Sequence, residues 1–351
     1  MAREKIISAQ GTGPEDEQFN MALRPRTLDE CIGVGELLEK LQISITAARQ
    51  RSEPMEHVLL HGPPGLGKTT LAYVIAHEMD STIKVTSGPA LTRPSDLIGI
   101  LTNLEHRDVL FIDEIHRLAA AVEEYIYPAM EDYKVDFVVD SGMHSRTINL
   151  PLKPFTLIGA TTRAGLLSPP MRTRFGINHH LDFWGTEDLT ARCRMSATML
   201  RIEYDPAALT TLAGRARGTP RIANRLLRRC RDYAQVKGDG RLTVEIVEAA
   251  LKLEGIDALG LDDLDRRFLR TIIDTYAGGP VGIEAAAATL GEETDTLVDV
   301  VEPFLLQVGL LARTRRGRLA TRKAYEHLGL TPPARPDREE ADAPLFDAAD
   351  G

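Results

Sequence analysis

Up to about residue 184 the chain alternates two hydrophobic periods. Short runs of apolar or β-branched residues, His57 to His61, Ile83 to Thr86, Val109 to Asp113 and Phe155 to Ala160, read as buried strands. Stretches with the helical period separate them. That alternation predicts a parallel sheet with helices on both faces, an α/β fold. From about 185 to 255 only the helical period remains. It opens at Thr186-Glu187-Asp188-Leu189, where Thr186 is placed to cap a helix with an acidic first turn.

After a Gly/Asp-rich join at Gly255 to Asp263, the pattern predicts helices over Asp265 to Ala277, Ile283 to Leu290 and Thr294 to Gln307. Two short strands follow, Leu310 to Thr314 and Arg318 to Ala320, about a basic turn at Gly317. Three small helices and a hairpin make the winged-helix pattern, although small helical lids share its outline. The tail from Pro332 to Gly351 has four prolines and six carboxylates with little to bury, and is expected to be disordered. The expected organisation is an α/β domain over 1–184, an all-α domain over 185–255, a winged-helix domain over 256–330 and a tail over 331–351.

A chain of 351 residues has room for these separate cores. The net charge of -9 argues against a positive coat, yet residues 313 to 323 carry Arg313, Arg315, Arg316, Arg318, Arg322 and Lys323 with no carboxylate. Such a cluster meets phosphates or forms a solvated basic turn; charge alone does not decide. No apolar segment suits a signal peptide or a membrane span. The odd, scattered cysteines Cys31, Cys193 and Cys230 fit reduced thiols in a cytoplasmic protein, and none has a partner at metal-ligand spacing.

The chemistry begins at Gly62-Pro63-Pro64-Gly65-Leu66-Gly67-Lys68-Thr69, a phosphate-binding loop between a strand and a helix. Its glycines let backbone N–H groups wrap phosphates, the helix end adds partial positive charge, Lys68 reaches the β- and γ-phosphates, and Thr69 is expected to bind Mg²⁺. The strand Val109 to Asp113 delivers two acids to the sheet edge where α/β ligands bind. Asp113 is placed to hold Mg²⁺ through water and Glu114 to polarise the attacking water. Thr161 and Thr162 end the next strand, and either suits the γ-phosphate or the lytic water. Arg172 and Arg174 precede a Phe-Gly turn, and one of them is suited to enter a neighbour's site as an arginine finger. Arg221 stands in the first turn of a helix begun by Pro220, where its charge opposes the helix dipole and calls for an anion. Arg225, Arg228, Arg229 and Arg231 further along are expected on a solvated or inter-subunit face.

In combination these motifs resemble the RuvB family of AAA+ ATPases, motors of Holliday-junction branch migration. The resemblance runs from Leu23-Arg24-Pro25-Arg26-Thr27-Leu28-Asp29-Glu30 to about Gly329. Its most specific stretches are His57 to Thr70, Lys84 to Ala90, Phe111 to Arg117, Tyr127 to Asp132, Ile158 to Leu167 and Gly218 to Arg229. It implies ATP and Mg²⁺ as cofactors, and a P-loop AAA+ domain, a small helical lid and a winged-helix head. Nucleotide contacts are implied for Leu23, Arg24, Gly65, Lys68, Thr69, Thr70, Glu131, Asp132 and Tyr133. Asp113 and Glu114 become the Mg²⁺ and water-activating acids, Thr162 the first sensor, Arg174 the finger acting in trans and Arg221 the second sensor. Lys134 to Leu150 resembles the family's projecting hairpin, with Phe137, Val138, Val139, Ile148 and Leu150 as apolar residues and a loop at Ser141-Gly142-Met143. The implied partner for that hairpin is RuvA. Arg313 and Arg318, with Arg316 nearby, are implied to touch the DNA backbone. The resemblance thus implies a hexameric ring pulling duplex DNA from a RuvA-bound junction, with RuvC in the full complex, in recombination and DNA repair.

Some positions depart from the family pattern. Thr173 stands where an aspartate usually separates the two arginines, Trp184 replaces a tyrosine near the adenine, Arg315 a proline, Val34 a glutamine and Thr294 an arginine. An AAA+ clamp loader or protein remodeller would share every ATPase motif but has no need of both hairpin and winged helix. A non-hydrolysing nucleotide switch is disfavoured by the intact Lys68, Asp113, Glu114 and Arg174.

Overall fold

The computed structural model describes residues 14–33, 35–139 and 146–332. Val34, the Ser141-Gly142-Met143 loop and the tail beyond Pro332 lie outside the described residues, as do the side chains of Phe137, Val138, Val139 and Ile148. The expected tail disorder and the apolar character of the hairpin fall there. The chain forms two units, Met1–Gly260 and Leu261–Gly351.

The strands of the first unit are β1 (Val58–His61), β2 (Ile83–Ser87), β3 (Val109–Asp113), β4 (Lys134–Val139), β5 (Arg146–Pro151), β6 (Thr156–Thr161) and β7 (Ile177–His180). Five of them make one parallel sheet in the order β2-β3-β6-β1-β7. The central strands are apolar at successive positions because each face has its own helices to meet. Val58, Leu60, Phe111 and Ile158 pack with Leu41 and Ile45 of the Gly35–Arg51 helix and with Leu71 and Ile75 of the Lys68–Glu78 helix. Leu59, Leu110, Ile112 and Leu157 pack with Leu97 of Pro94–Leu101 and Ile126 of Ala120–Glu131 on the other face. His57 at the foot of β1 accepts the Leu157 N–H at Nδ1 (2.9 Å), so Nε2 carries the proton and donates to the Met130 carbonyl (3.1 Å); burial lowers its pKa and keeps it neutral.

Two strands differ from expectation. β2, read as buried, is an edge strand whose Lys84 and Val85 face solvent. β7 was not expected, since Ile177-Asn178-His179-His180 has one aliphatic residue and half its positions exposed, as the outer edge of a sheet allows. β4 and β5 pair as an antiparallel hairpin with Phe137 opposite Ile148 and Val135 opposite Leu150.

The helices Thr186–Met199, Pro206–Gly214, Pro220–Lys237 and Val244–Leu253 close around a separate core that includes Leu189, Leu212, Leu226 and Leu251. Gly185, not Thr186, holds the cap position, and Thr186 is the first helical residue. Arg225, expected on a face, is buried instead. Cys193 and Cys230 belong to this core, and burial pushes both thiols up to about 12. No described helix is long and apolar enough to cross a membrane.

In the second unit, Asp262 and Asp265 form a reciprocal capping box at the start of Asp263–Arg270, which runs into a π turn at Thr271–Thr275. Ile283–Leu290 follows. The helix expected over 294–307 is present but widens into a π turn at Leu297–Val301. Pro303 explains this: it has no N–H to offer the carbonyl four residues back, and its ring crowds that carbonyl. The strands β8 (Leu311–Thr314) and β9 (Gly317–Ala320) form the wing, with Val281 bridging to Arg318 on the free side of β9. Arg313, Arg315 and Arg316 are exposed on this turn. Arg318, chosen as a DNA contact, is not: it is buried and forms a two-pronged ion pair with the buried Glu302. Its guanidinium is committed to the interior of the unit and is not free to meet a DNA phosphate.

Candidate active site

Gly62 opens the loop at φ 137°, and a Cβ there would lie 2.3 Å from the Leu181 carbonyl oxygen, so only glycine fits. Gly67 caps the Lys68–Glu78 helix at φ 100°, leaving the first N–H groups of that helix without intrahelical partners and facing the cleft. Lys68 is buried; its Nζ donates to the carbonyls of Gly62 (2.7 Å) and Pro63 (2.8 Å). Burial lowers its pKa to about 8, opposed by Asp113 and assisted by the positive charge of Arg221. Asp113 at the end of β3 accepts the Glu114 N–H (2.9 Å), and burial raises its pKa. Glu114 has φ 46°, a left-handed conformation that costs a non-glycine residue on the order of 1–2 kcal/mol. Its carboxylate lies 2.9 Å from Arg117.

The two threonines divide. Thr161 is buried and bonded to His116 (2.8 Å), whereas Thr162 lines the cleft. Thr69, Thr70, Gly65 and Arg221 line it too, and the Arg221 N–H reaches the Gly65 carbonyl at 3.5 Å. Arg24, Pro25, Glu30, Cys31, Ile32, Trp184, Arg192 and Asn224 are also on the wall, around a space of about 350 Å³, within the usual range for a small-molecule site. Leu23 is buried and does not line the cleft; its carbonyl accepts from Arg192, which does. Sequence reasoning missed Arg192 and Asn224 as wall residues. Asn224 lay inside a quoted motif, whereas nothing but an arginine amid lid-helix periodicity marked Arg192.

Arg174 does not line this cleft, nor do Glu131, Asp132 and Tyr133. Arg174 pairs with Glu131 (3.1 Å), donates to the Pro170 carbonyl (2.7 Å) and lies 4.3 Å over the Tyr127 ring. These three contacts hold it where Thr173 supplies no charge. Tyr133 packs edge-on against Phe155. The four residues thus share a place apart from their own chain's nucleotide loop.

The chemistry of the wall fits a magnesium nucleotide: backbone donors and Lys68 for phosphates, Thr69 and Asp113 as oxygen ligands. Among the described residues no three His, Cys, Asp or Glu side chains converge to hold an ion unaided, so phosphate oxygens and water would complete the shell.

A parallel sheet with the phosphate loop at its carboxyl edge, acids two strands over beyond β6, and a helical lid delivering Arg221 define the AAA+ class of P-loop NTPases. Family models agree along the chain: the Holliday junction DNA helicase RuvB P-loop domain matches residues 23–181, the RuvB AAA lid domain 184–257 and the RuvB C-terminal winged helix domain 258–329. The chain belongs to the RuvB family. It is 52% identical over 336 residues to the Holliday junction branch migration complex subunit RuvB of Myxococcus xanthus, covering 96% of this chain and 98% of that protein. Among solved structures it resembles the Thermotoga maritima RuvB Holliday junction branch migration motor, with TM-score 0.80, 51% identity, and coverage of 88% of this chain and 99% of that one. A point mutant of the same motor gives TM-score 0.82 at 50% identity, covering 88% and 98%.

Proposed function

We propose that this chain is an ATP-driven DNA motor that moves Holliday junctions in the cytoplasm, working as a hexameric ring with RuvA and, in the full complex, RuvC. The observation that carries this reading is the union in one chain of a cleft holding Lys68, Asp113, Glu114 and Thr162 with a winged-helix unit whose turn exposes Arg313, Arg315 and Arg316. In this reading Lys68 and the loop N–H groups hold the phosphates, and Glu114 takes a proton from the attacking water. Thr162 orients that water. Thr69 and Asp113 would hold Mg²⁺, which when bound would offset the charge of the phosphates. Arg174, with Glu131, Asp132 and Tyr133, faces the nucleotide of the next subunit. Arg313 and Arg316 touch DNA phosphates, so binding is salt-sensitive and nearly indifferent to sequence. The hairpin of β4 and β5 docks RuvA.

The test is branch migration of a synthetic four-way junction with ATP, with and without RuvA. ATP-dependent strand exchange, increased by RuvA, is expected. Glu114→Gln should keep nucleotide binding and lose turnover by about 10²-fold or more. Turnover without any junction movement would remove the DNA-motor reading, and surviving turnover in Glu114→Gln would remove the assigned base.

A further inference from the structure

Arg192 lies midway along the Thr186–Met199 helix, 6% exposed, with part of its surface on the cleft wall. A guanidinium has five N–H donors. Among the described residues, Arg192 makes one hydrogen bond, to the Leu23 carbonyl, and no ion pair. Glu30, the carboxylate whose field reaches it, accepts the Arg26 N–H at 2.7 Å and makes no ion pair with Arg192. Burying a cation this thinly partnered is unfavourable unless its other donors are met, and what remains open to it is the cleft.

Lys68 is bonded within the loop, to the Gly62 and Pro63 carbonyls, whereas Arg192 is bonded to the Leu23 carbonyl, next to the wall residues Arg24 and Pro25. The loop fixes phosphates at its own end of the cleft. Arg192 therefore stands at the end left for the base.

We propose that Arg192 reads the base and makes this site accept guanine as well as adenine nucleotides. The inference rests on the nucleotide-binding reading above. A guanidinium presents donors only, in a planar fork. Guanine places two acceptors, O6 and N7, side by side to receive that fork, whereas adenine places N7 beside an amino group that is itself a donor. An apolar residue at this position would leave guanine unrewarded, and an acceptor would favour adenine.

The experiment is displacement of a fluorescent ADP analogue from the full chain by ATP and by GTP, with Mg²⁺ present. GTP is expected within about tenfold of ATP on the unmodified chain, and Arg192→Met should weaken GTP about tenfold or more relative to ATP. Arg192→Lys keeps the charge but loses the fork, so it should shift the ratio the same way; it decides the matter if the methionine variant does not fold. Equal weakening of both nucleotides, an unchanged ratio, or unmodified chain that binds GTP over a hundredfold more weakly than ATP would overturn the proposal. Failure of the unmodified chain to bind either nucleotide would sink the nucleotide reading itself.

Discussion

Lys68 shows how one buried side chain sets a pH window. With its pKa near 8 the amine is still mostly charged at neutral pH, and bound phosphates stabilise that charge. Nucleotide affinity should be flat below about pH 7 and fall above about pH 8, approaching tenfold per pH unit, because binding there requires a proton to be taken up. Titrations across that range check it; a flat profile would show that phosphates do not depend on the Lys68 charge. Folding responds with the opposite sign. Between about 8 and the ordinary 10.5 the folded chain holds fewer protons than the unfolded one, so this residue's contribution to stability rises with pH. Lys68, Asp113 and Glu114 were legible in sequence because spacing within one motif or one strand end fixes where each must stand; Arg221 was legible from its charge in a helix's first turn, whereas spacing left Thr161 and Thr162 open and only the fold puts Thr162 on the cleft. Arg318 was misread because its partner, Glu302, lies sixteen residues away on another element, and a basic run carries no mark of which member turns inward.

The pairing of β9 with the Glu302–Gln307 helix through Arg318 gives an element-level test. Glu302→Ala leaves a buried guanidinium unpaired and should destabilise the second unit by about 3–5 kcal/mol, while Glu302→Met with Arg318→Met should recover most of the loss. Hydrogen exchange over residues 261–332 measures this; unchanged protection in Glu302→Ala would mean that the pair is not holding the wing. Strong periodicity made the central strands β1, β3 and β6 readable, since each needs apolar residues toward both faces. The sheet edges were harder. β7 has only Ile177 to bury, and β2 exposes Lys84 and Val85, so neither carries the signal of a buried strand. The π turn at Leu297–Val301 follows from Pro303 once the helix is known, but the hydrophobic pattern alone runs straight through it.

At the scale of the whole molecule, the proposed division of labour between neighbours can be tested by mixing. Arg174→Ala and Lys68→Ala chains should each lack turnover, and together should regain part of it, because some junctions between subunits then pair an intact loop with an intact arginine. No recovery in a steady-state ATPase assay would place Arg174 in cis or outside the chemistry. Sequence could suggest that Arg174 acts on another subunit, but its mounting on Glu131 and Tyr127 emerges only when the Ala120–Glu131 helix meets the distant segment from Pro170 to Arg174. That mounting has a mechanical consequence. The Ala120–Glu131 helix ends at the residue gripping Arg174, and the chain begins β4 at Lys134, while the Tyr133 carbonyl fastens the other end of the hairpin through the Leu152 N–H at 2.7 Å. The hairpin and the arginine are therefore coupled in series through a link two residues long with little slack. A load on the hairpin tip would be borne at the root of that arginine, as a lever bears on its fulcrum.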